Sequence, residues 1–324
     1  MTSPKVSIVT ITYNHENYIL DALNSFLMQR YDGQIEIIIA NDNSPDRSHT
    51  VITNFIENTN IPSNFRIKYT KHITNKGMVA NFIWALKQAA GEYIAICEGD
   101  DYWIDPLKIQ KQVDFLEKND DFLMCFTNRN ILKDNKILEN SNITYSKNEF
   151  TENDLPFFAP TLTRLVKRDK DNFEYQDLLK FKNCGIDTLM TVILAQKGKI
   201  KFIDEITSIY RDNSEGVFSS LKLKEKKEFT ILTTINSVLL INKKQIKQKY
   251  YNYIIKEILE CYYYKFDFNF KLILEIINNN TNHFSFKFRL KIYFISLITK
   301  NSGIRKLLLS FKVKKIVYNS LIKI

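Results

Sequence analysis

Along roughly the first 130 residues, apolar positions alternate between two rhythms. Short continuous runs rich in β-branched and aromatic residues predict strands: Val6-Ser7-Ile8-Val9-Thr10-Ile11-Thr12, Ile35 to Ala40, Arg66 to Thr70, Tyr93 to Cys97 and Phe122 to Phe126. Between them apolar residues recur at helical spacing. Ile19, Ala22, Leu23 and Phe26 form one such face; Val79, Phe82, Ile83 and Leu86, ending near Gly91, form another; Ile109, Val113 and Leu116 form a third. Ser44-Pro45 and Asp105-Pro106 each read as an N-cap followed by proline in the first helical position, and the helix after Ser44 is expected to run toward Glu57. Continuous apolar strands alternating with helices predict a mostly parallel α/β sheet covered on both faces. Ligands of such sheets bind at the carboxyl ends of the strands.

Three polar clusters fall at those ends: Thr12-Tyr13-Asn14, Asn41-Asp42-Asn43-Ser44 and Glu98-Gly99-Asp100-Asp101. Taken singly, each is ordinary turn chemistry, since Asn, Asp and Ser make turns and caps. Together they outline one crevice. Three carboxylates within four residues repel one another unless a cation offsets them. Hard divalent ions such as Mg²⁺ and Mn²⁺ use one or two carboxylates together with phosphate oxygens of a substrate. The last cluster therefore fits an enzyme acting on a phosphorylated donor, with a solvated acidic turn as the alternative.

Charge divides the chain. Residues 1–221 hold 25 Lys and Arg against 30 Asp and Glu, whereas 222–324 hold 21 against 6. This step predicts two parts with different tasks: a mildly acidic part over 1–221 and a basic, mainly helical part over 222–324. The four cysteines are scattered without CxxC spacing, which argues against a disulfide framework or zinc site and fits a reducing compartment. Met1 to Lys5 leads straight into the first strand, so no secretory signal is expected. No apolar run approaches the roughly 20 residues that span a bilayer. The expected location is cytoplasmic.

Four separated motifs, Val6 to Asn14, Glu36 to Asp46, Asn75-Lys76-Gly77 with Asn81, and Gly91 to Trp103, resemble the family 2 glycosyltransferases of GT-A (Rossmann-like) fold. The match is dense to about residue 128 and weaker to about 220. The resemblance implies that Thr12 and Tyr13 pack against the donor base and ribose, and that Asp42 accepts from the uracil N3–H. It implies that Asp100 and Asp101 are a DXD-type pair, with Asp101 on the metal (Mn or Mg) and Asp100 on the ribose or a metal-bound water. Relatives carry Asp where this chain has Asn41. Asp187, just ahead of a helix marked by Leu189, Val192, Ile193 and Gln196, resembles the general base that deprotonates the acceptor hydroxyl. A helix-dipole role is its alternative. Ala159 to Thr163 resembles the acceptor-side strand, though an ordinary strand would look the same. Tyr210 to Ser219 resembles a segment that closes over the diphosphate, in which Arg211 contacts phosphate and Asn213 replaces a histidine.

The resemblance implies a metal-dependent, inverting transferase. It moves a sugar from a nucleotide diphosphate donor, expected to be UDP-linked, to a glycan or lipid-linked acceptor in bacterial surface polysaccharide or glycoconjugate synthesis. A catalytically idle carbohydrate- or partner-binding protein on the same fold is the alternative. Nucleotidyltransferases and dinucleotide-dependent dehydrogenases need a glycine-rich loop after strand one, and no glycine precedes Gly33. In 222–324, Ile254, Ile258 and Cys261 are expected on a helix, as is a face from Ile304 to Ile322. Phe286 to Ile292 fits either strand or helix. Association with an anionic membrane at the inner face and self-association as a homo-oligomer both fit this basic region. Nucleic-acid binding is disfavoured, because the N-terminal motifs already account for a nucleotide site.

Overall fold

A computed structural model describes residues 5–138, 141–168, 175–181, 184–213, 216, 218–263 and 270–300. The chain divides into two compact units, Met1–Lys182 with Leu194–Ser220, and Asn183–Ile193 with Leu221–Ile324.

The first unit opens with the alternation that the sequence predicts. In order come β1 (Val6–Thr12), α1 (Ile19–Leu27), β2 (Ile35–Asn41), α2 (Ser48–Asn58), β3 (Phe65–Lys71), α3 (Met78–Gln88) and β4 (Tyr93–Ile96). The two-residue β5 (Tyr102–Trp103), α4 (Lys108–Lys118) and the long β6 (Phe122–Lys133) follow. Two short strands, β7 (Lys136–Ile137) and β8 (Glu149–Phe150), precede β9 (Arg164–Lys167). After α5 (Ile186–Lys197), β10 (Lys199–Asp212) returns to the sheet.

The sheet order is β3-β2-β1-β4-β9-β6-β10-β5. β1 lies parallel between β2 and β4, with Val6 opposite both Ile35 and Tyr93. β9 runs antiparallel between β4 and β6, and β10 runs parallel to β6. The sheet is mostly parallel. Every residue of β2 is buried, as are six of the seven in β1, so apolar side chains are needed on both faces. Ile19, Leu23 and Phe26 of α1, Ile52 of α2 and Ile109, Val113 and Leu116 of α4 share one core with Val6, Ile8, Ile37 and Ala95. Phe82, Ile83 and Leu86 of α3 are buried outside that core, where α3 packs on β1 and β2.

Several local expectations change. Helix α2 begins at Ser48, three residues after Pro45, because Ser44 is engaged elsewhere. Its N–H donates to Asn41 Oδ1 (2.8 Å) and its hydroxyl accepts from the Asn14 N–H (3.2 Å). Asp46 takes the capping role, with Oδ1 accepting from the Ser48 N–H at 3.0 Å. Asp105 likewise accepts from the Leu107 N–H (2.8 Å) ahead of α4, which begins two residues after Pro106. Ala159 to Thr163 is not a strand. Thr161–Thr163 form a single 3₁₀ turn, closed by the Thr163 hydroxyl donating to the Pro160 carbonyl at 2.8 Å, and β9 starts only at Arg164.

The second unit is helical, with α6 (Leu223–Leu240), α7 (Lys244–Tyr263), α8 (Phe270–Asn279) and α9 (Phe286–Lys300). Ile254, Ile258 and Cys261 are buried along α7, as their spacing predicts. Lys227 on α6 bridges Glu257 and Glu260 on α7, each at 2.8 Å. The two-way pattern of Phe286 to Ile292 resolves as helix, since Phe288, Ile292 and Ile295 are buried at i, i+4 and i+7. The face expected from Ile304 to Ile322 lies outside the described residues. Among the described residues no helix is long and apolar enough to cross a membrane.

Candidate active site

Because β1 is flanked by β2 and β4, the turns that follow these three strands meet at the carboxyl edge. The Asp42 N–H donates to the Thr12 carbonyl and the Gly99 N–H to the Ile11 carbonyl, each at 3.0 Å. Asn14 (φ 60°) and Asn43 (φ 57°) take the left-handed conformation that lets the first two turns reverse sharply, and asparagine tolerates it better than most residues. Gly99 permits the closest approach. A Cβ there would stand 2.9 Å from both His15 Nδ1 and Ile19 Cδ1, and 3.0 Å from Thr12 Cβ.

Asp42 is buried and grips a loop. Its Oδ1 accepts from the Lys76 N–H at 2.7 Å and its Oδ2 from the Gly77 N–H at 2.9 Å. Gly77 has φ 83°, a conformation that disfavours any side chain, although the space around it is open. The carboxylate at the end of β2 thus fixes the entry to α3. Asn41 beside it is structural. Its amide donates to the Tyr69 hydroxyl (3.1 Å) while its oxygen accepts from Ser44, so an amide at this position serves both bonds.

Asp100 and Asp101 sit between β4 and β5, and the antiparallel pairing of β5 with β10 sets Tyr102 opposite Ile209. That register brings Arg211 to the acidic turn. Its N–H donates to Asp101 Oδ1 and its Nε to the Asp100 carbonyl, both at 2.8 Å. Its Nη2 pairs with Asp21 Oδ2 of α1 at 2.7 Å. The guanidinium lies 4.9 Å from the ring centroid of Tyr18 and 5.2 Å from that of Tyr102. Arg211, expected on sequence to meet phosphate, here ties three elements to the acidic turn.

Burial, then the charges of Asp100 and Glu98, push the Asp101 carboxyl well above the usual carboxylate range, against the N–H and charge of Arg211. The Tyr210 hydroxyl is pushed up in the same way, first by burial and then by Asp101, Asp100 and Glu98. This is an environment short of positive charge. Asp100 and Asp101 supply the hard oxygen donors that Mg²⁺ or Mn²⁺ prefers. Among the described residues no three His, Cys, Asp or Glu side chains converge as a complete cage. A divalent ion fits here as one whose shell is finished by substrate oxygens.

The remaining candidates fall as follows. Thr12 is buried at the end of β1 and Tyr13 is exposed beside it. Asn213 donates to Asp100 Oδ2 at 3.4 Å; Ser214, Glu215 and Val217 of the same segment lie outside the described residues. Asp187 belongs to the second unit, half-buried in the first turn of α5. There a Cβ on Gly185 would stand 2.9 Å from Asp187 Oδ1, and the Gly185 N–H donates to the Thr233 hydroxyl at 2.8 Å. Two participants escape the sequence reading. His15 is buried in the turn after β1, with Nε2 3.9 Å from Asp100 Oδ2. A single histidine in a polar turn carries no sequence signal that marks it out. Asp21 reads as an ordinary exposed acid of α1, and only the return of β10 gives it a partner.

The family model described as "Glycosyl transferase family 2" matches residues 7–173. An uncharacterized protein of Mycobacterium tuberculosis, Rv1520, is 32% identical over 225 residues, covering 68% of this chain and 63% of its own length. The chain thus spans somewhat less than two thirds of that relative. The Escherichia coli protein named UDP-Glc:alpha-D-GlcNAc-diphosphoundecaprenol beta-1,3-glucosyltransferase WfgD is 32% identical over 188 residues, 58% of this chain and 59% of its own. Among solved structures, residues 1–349 of Staphylococcus aureus TarS with UDP-GlcNAc align over 98% of this chain and 90% of that one. The TM-score is 0.60 at 17% identity, a likeness of fold.

Proposed function

This chain belongs to glycosyl transferase family 2 and has the GT-A fold, and from that premise we propose that it transfers a sugar from a nucleotide diphosphate donor to a hydroxyl acceptor. The observation that carries the proposal is the convergence of Asp42, Asp100 and Asp101 at the carboxyl edge of the sheet, bound together through Thr12, Gly99 and Arg211. The donor is UDP-linked. WfgD, whose name specifies UDP-Glc, and the TarS complex with UDP-GlcNAc support that choice.

In this reading Thr12 and Tyr13 flank the base and ribose, and Asp42 accepts from the uracil N3–H. Asp101 and Asp100 hold a divalent cation, which when bound neutralises charge on the leaving diphosphate. Arg211 keeps both carboxylates at the edge of the site. Asp187 takes the proton of the acceptor hydroxyl as that oxygen attacks the anomeric carbon, so one displacement inverts the anomeric centre. The acceptor is a glycan or a lipid-linked sugar of bacterial surface polysaccharide or glycoconjugate synthesis. Residues 1–221 serve as the transferase domain, at the cytoplasmic face of the membrane. Residues 222–324 serve as a module for attachment to an anionic membrane surface or for self-association.

Calorimetric titration with UDP, with and without Mn²⁺, tests the donor site. Binding that requires Mn²⁺ and is lost in Asp101→Ala is the expected result. Absence of binding to UDP, GDP and dTDP alike would favour an idle, partner-binding protein on this fold.

A further inference from the structure

Helix α9 has two unlike faces. Phe288, Ile292, Ile295 and Ser296 are buried in the second unit, where the Phe288 ring stacks on Tyr251 with centroids 4.2 Å apart. Phe286, Leu290, Tyr293, Phe294 and Leu297 are exposed, by 68, 51, 55, 57 and 49%. At about 100° per residue these five share a single arc of roughly 100°. The arc is therefore one continuous apolar stripe along the helix, opposite the face that holds α9 in its unit. Contiguous exposure of this kind marks a surface that meets something.

The stripe has basic borders. On the helical wheel Lys287 and Lys291 lie along one side and Arg289 along the other, and residues 286–300 contain no acidic side chain. The Arg289 guanidinium stands 5.7 Å from the Phe286 ring centroid, at the margin of the stripe. Burial and the neighbouring charge of Lys287 push the Lys291 ammonium below its usual range, so an anion beside the pair relieves a repulsion.

We propose that this face of α9 lies on an anionic lipid bilayer, with the five apolar side chains in the interfacial region and Lys287, Arg289 and Lys291 on lipid phosphates. The inference deepens the membrane reading of 222–324 and chooses it over self-association. Tyr293 is of the type that settles at membrane interfaces, and Phe and Leu are the side chains with which interfacial helices enter the acyl boundary. Long basic side chains flanking an apolar arc can reach headgroups while their stems stay over the acyl boundary. A second copy of the chain is the poorer occupant. Residues 222–324 carry 21 basic and 6 acidic residues, and pairing two α9 stripes sets basic borders against basic borders.

The test is co-sedimentation of the full chain with vesicles of phosphatidylcholine alone and with phosphatidylglycerol added, at low and high salt, beside UDP titration of the same preparations. Wild type is expected to bind only the anionic vesicles, and less at high salt. Lys287→Glu with Lys291→Glu, and separately Leu290→Ser with Phe294→Ser, are each expected to weaken vesicle binding at least about tenfold while UDP binding is unchanged. All four positions lie off the buried face of α9; far-UV circular dichroism and a thermal melt matching wild type report that the helical second unit folds, and retention of UDP binding reports the same of the first unit. Wild type that ignores anionic vesicles yet binds UDP would overturn the membrane face and leave the donor site standing. So would vesicle binding unaffected by both double variants, or a dimer in light scattering that Leu290→Ser with Phe294→Ser dissolves. Vesicle binding without UDP binding would fault the donor reading alone.

Discussion

The backbone N–H of Arg211 donates to Asp101 Oδ1 at 2.8 Å across 110 residues of chain. Strand β10 makes this contact because its partner β5 begins directly after Asp101. A carboxylate in a buried acidic turn is thereby held by a donor that has no freedom to turn away. The Arg211 side chain adds bonds to the Asp100 carbonyl and Asp21.

Arg211→Lys is expected to weaken Mn²⁺-dependent UDP binding about tenfold or more. Lysine keeps the backbone bond but cannot reach the Asp100 carbonyl and Asp21 with one planar fork, and charge-assisted bonds of this kind are each worth about 1.5–3 kcal/mol. Asp21→Asn, remote from the carboxylate pair in sequence, is expected to reproduce part of the loss. Calorimetry with both variants checks this. Wild-type affinity in Arg211→Lys would mean that the backbone contact alone positions Asp101.

Asp42→Asn separates two roles of one carboxylate. An asparagine offers one accepting oxygen where Asp42 uses two; the Gly77 N–H keeps Asn75 Oδ1 as a second acceptor at 2.9 Å, so the Lys76 N–H is the donor that can be left without a partner, at a cost of about 1–3 kcal/mol. Amide exchange at Lys76 should accelerate in the substrate-free protein, and UDP affinity should fall with it. Reduced affinity with unchanged exchange would assign Asp42 to the base alone.

Much of this site is written in the first hundred residues. Strands such as Ile35–Asn41 are apolar on both faces, a pattern that leaves little choice but a covered sheet, and their ends mark the crevice directly. The second half of the sheet is harder to read. β10 mixes buried Ile200, Phe202 and Ile209 with exposed Glu205 and Ile206 and shifts register against β6, so no clean period survives. Ser44 misleads for a related reason. Its hydroxyl has the chemistry of a helix cap, but the neighbouring turn after β1 takes it, a competition that only tertiary structure decides.

Glu36 gives the fold an acid-sensitive joint away from the site. Burial pushes its carboxyl up, yet Lys68, the Ser7 hydroxyl, the Ala90 N–H and Lys5 more than reverse this and hold it at about 2 against an ordinary 4.5. A depressed folded value means that the stabilisation is complete above the unfolded value near 4.5. It is lost as pH falls toward 2, and amounts to up to about 3 kcal/mol. Urea unfolding of wild type should weaken across that window. Glu36→Gln should be less stable at pH 7 and should lose less on acidification. Parallel pH profiles for the two proteins would remove Glu36 as the cause.

Asp187 is the residue on which the proposed chemistry, as distinct from donor binding, is tested. A carboxylate in the first turn of α5 has an ordinary use, since the helix dipole favours it by about 0.3–1 kcal/mol. That use needs charge but no proton transfer. General-base catalysis needs an oxygen able to accept the acceptor's proton, and is typically worth about a hundredfold to ten-thousandfold in rate. Asp187→Asn keeps the shape and removes both. A dipole role alone predicts a slightly lower melting temperature with transfer intact. The base role predicts transfer reduced at least about a hundredfold, with UDP–Mn²⁺ affinity unchanged. Asp187→Glu discriminates further. It restores charge to the helix terminus but moves the oxygens by one methylene, and placement errors of this size at a reacting centre cost about a hundredfold. A glutamate variant with wild-type stability and strongly reduced transfer identifies Asp187 as the base. One that transfers at the wild-type rate, alongside an active Asp187→Asn, would remove it from the reaction.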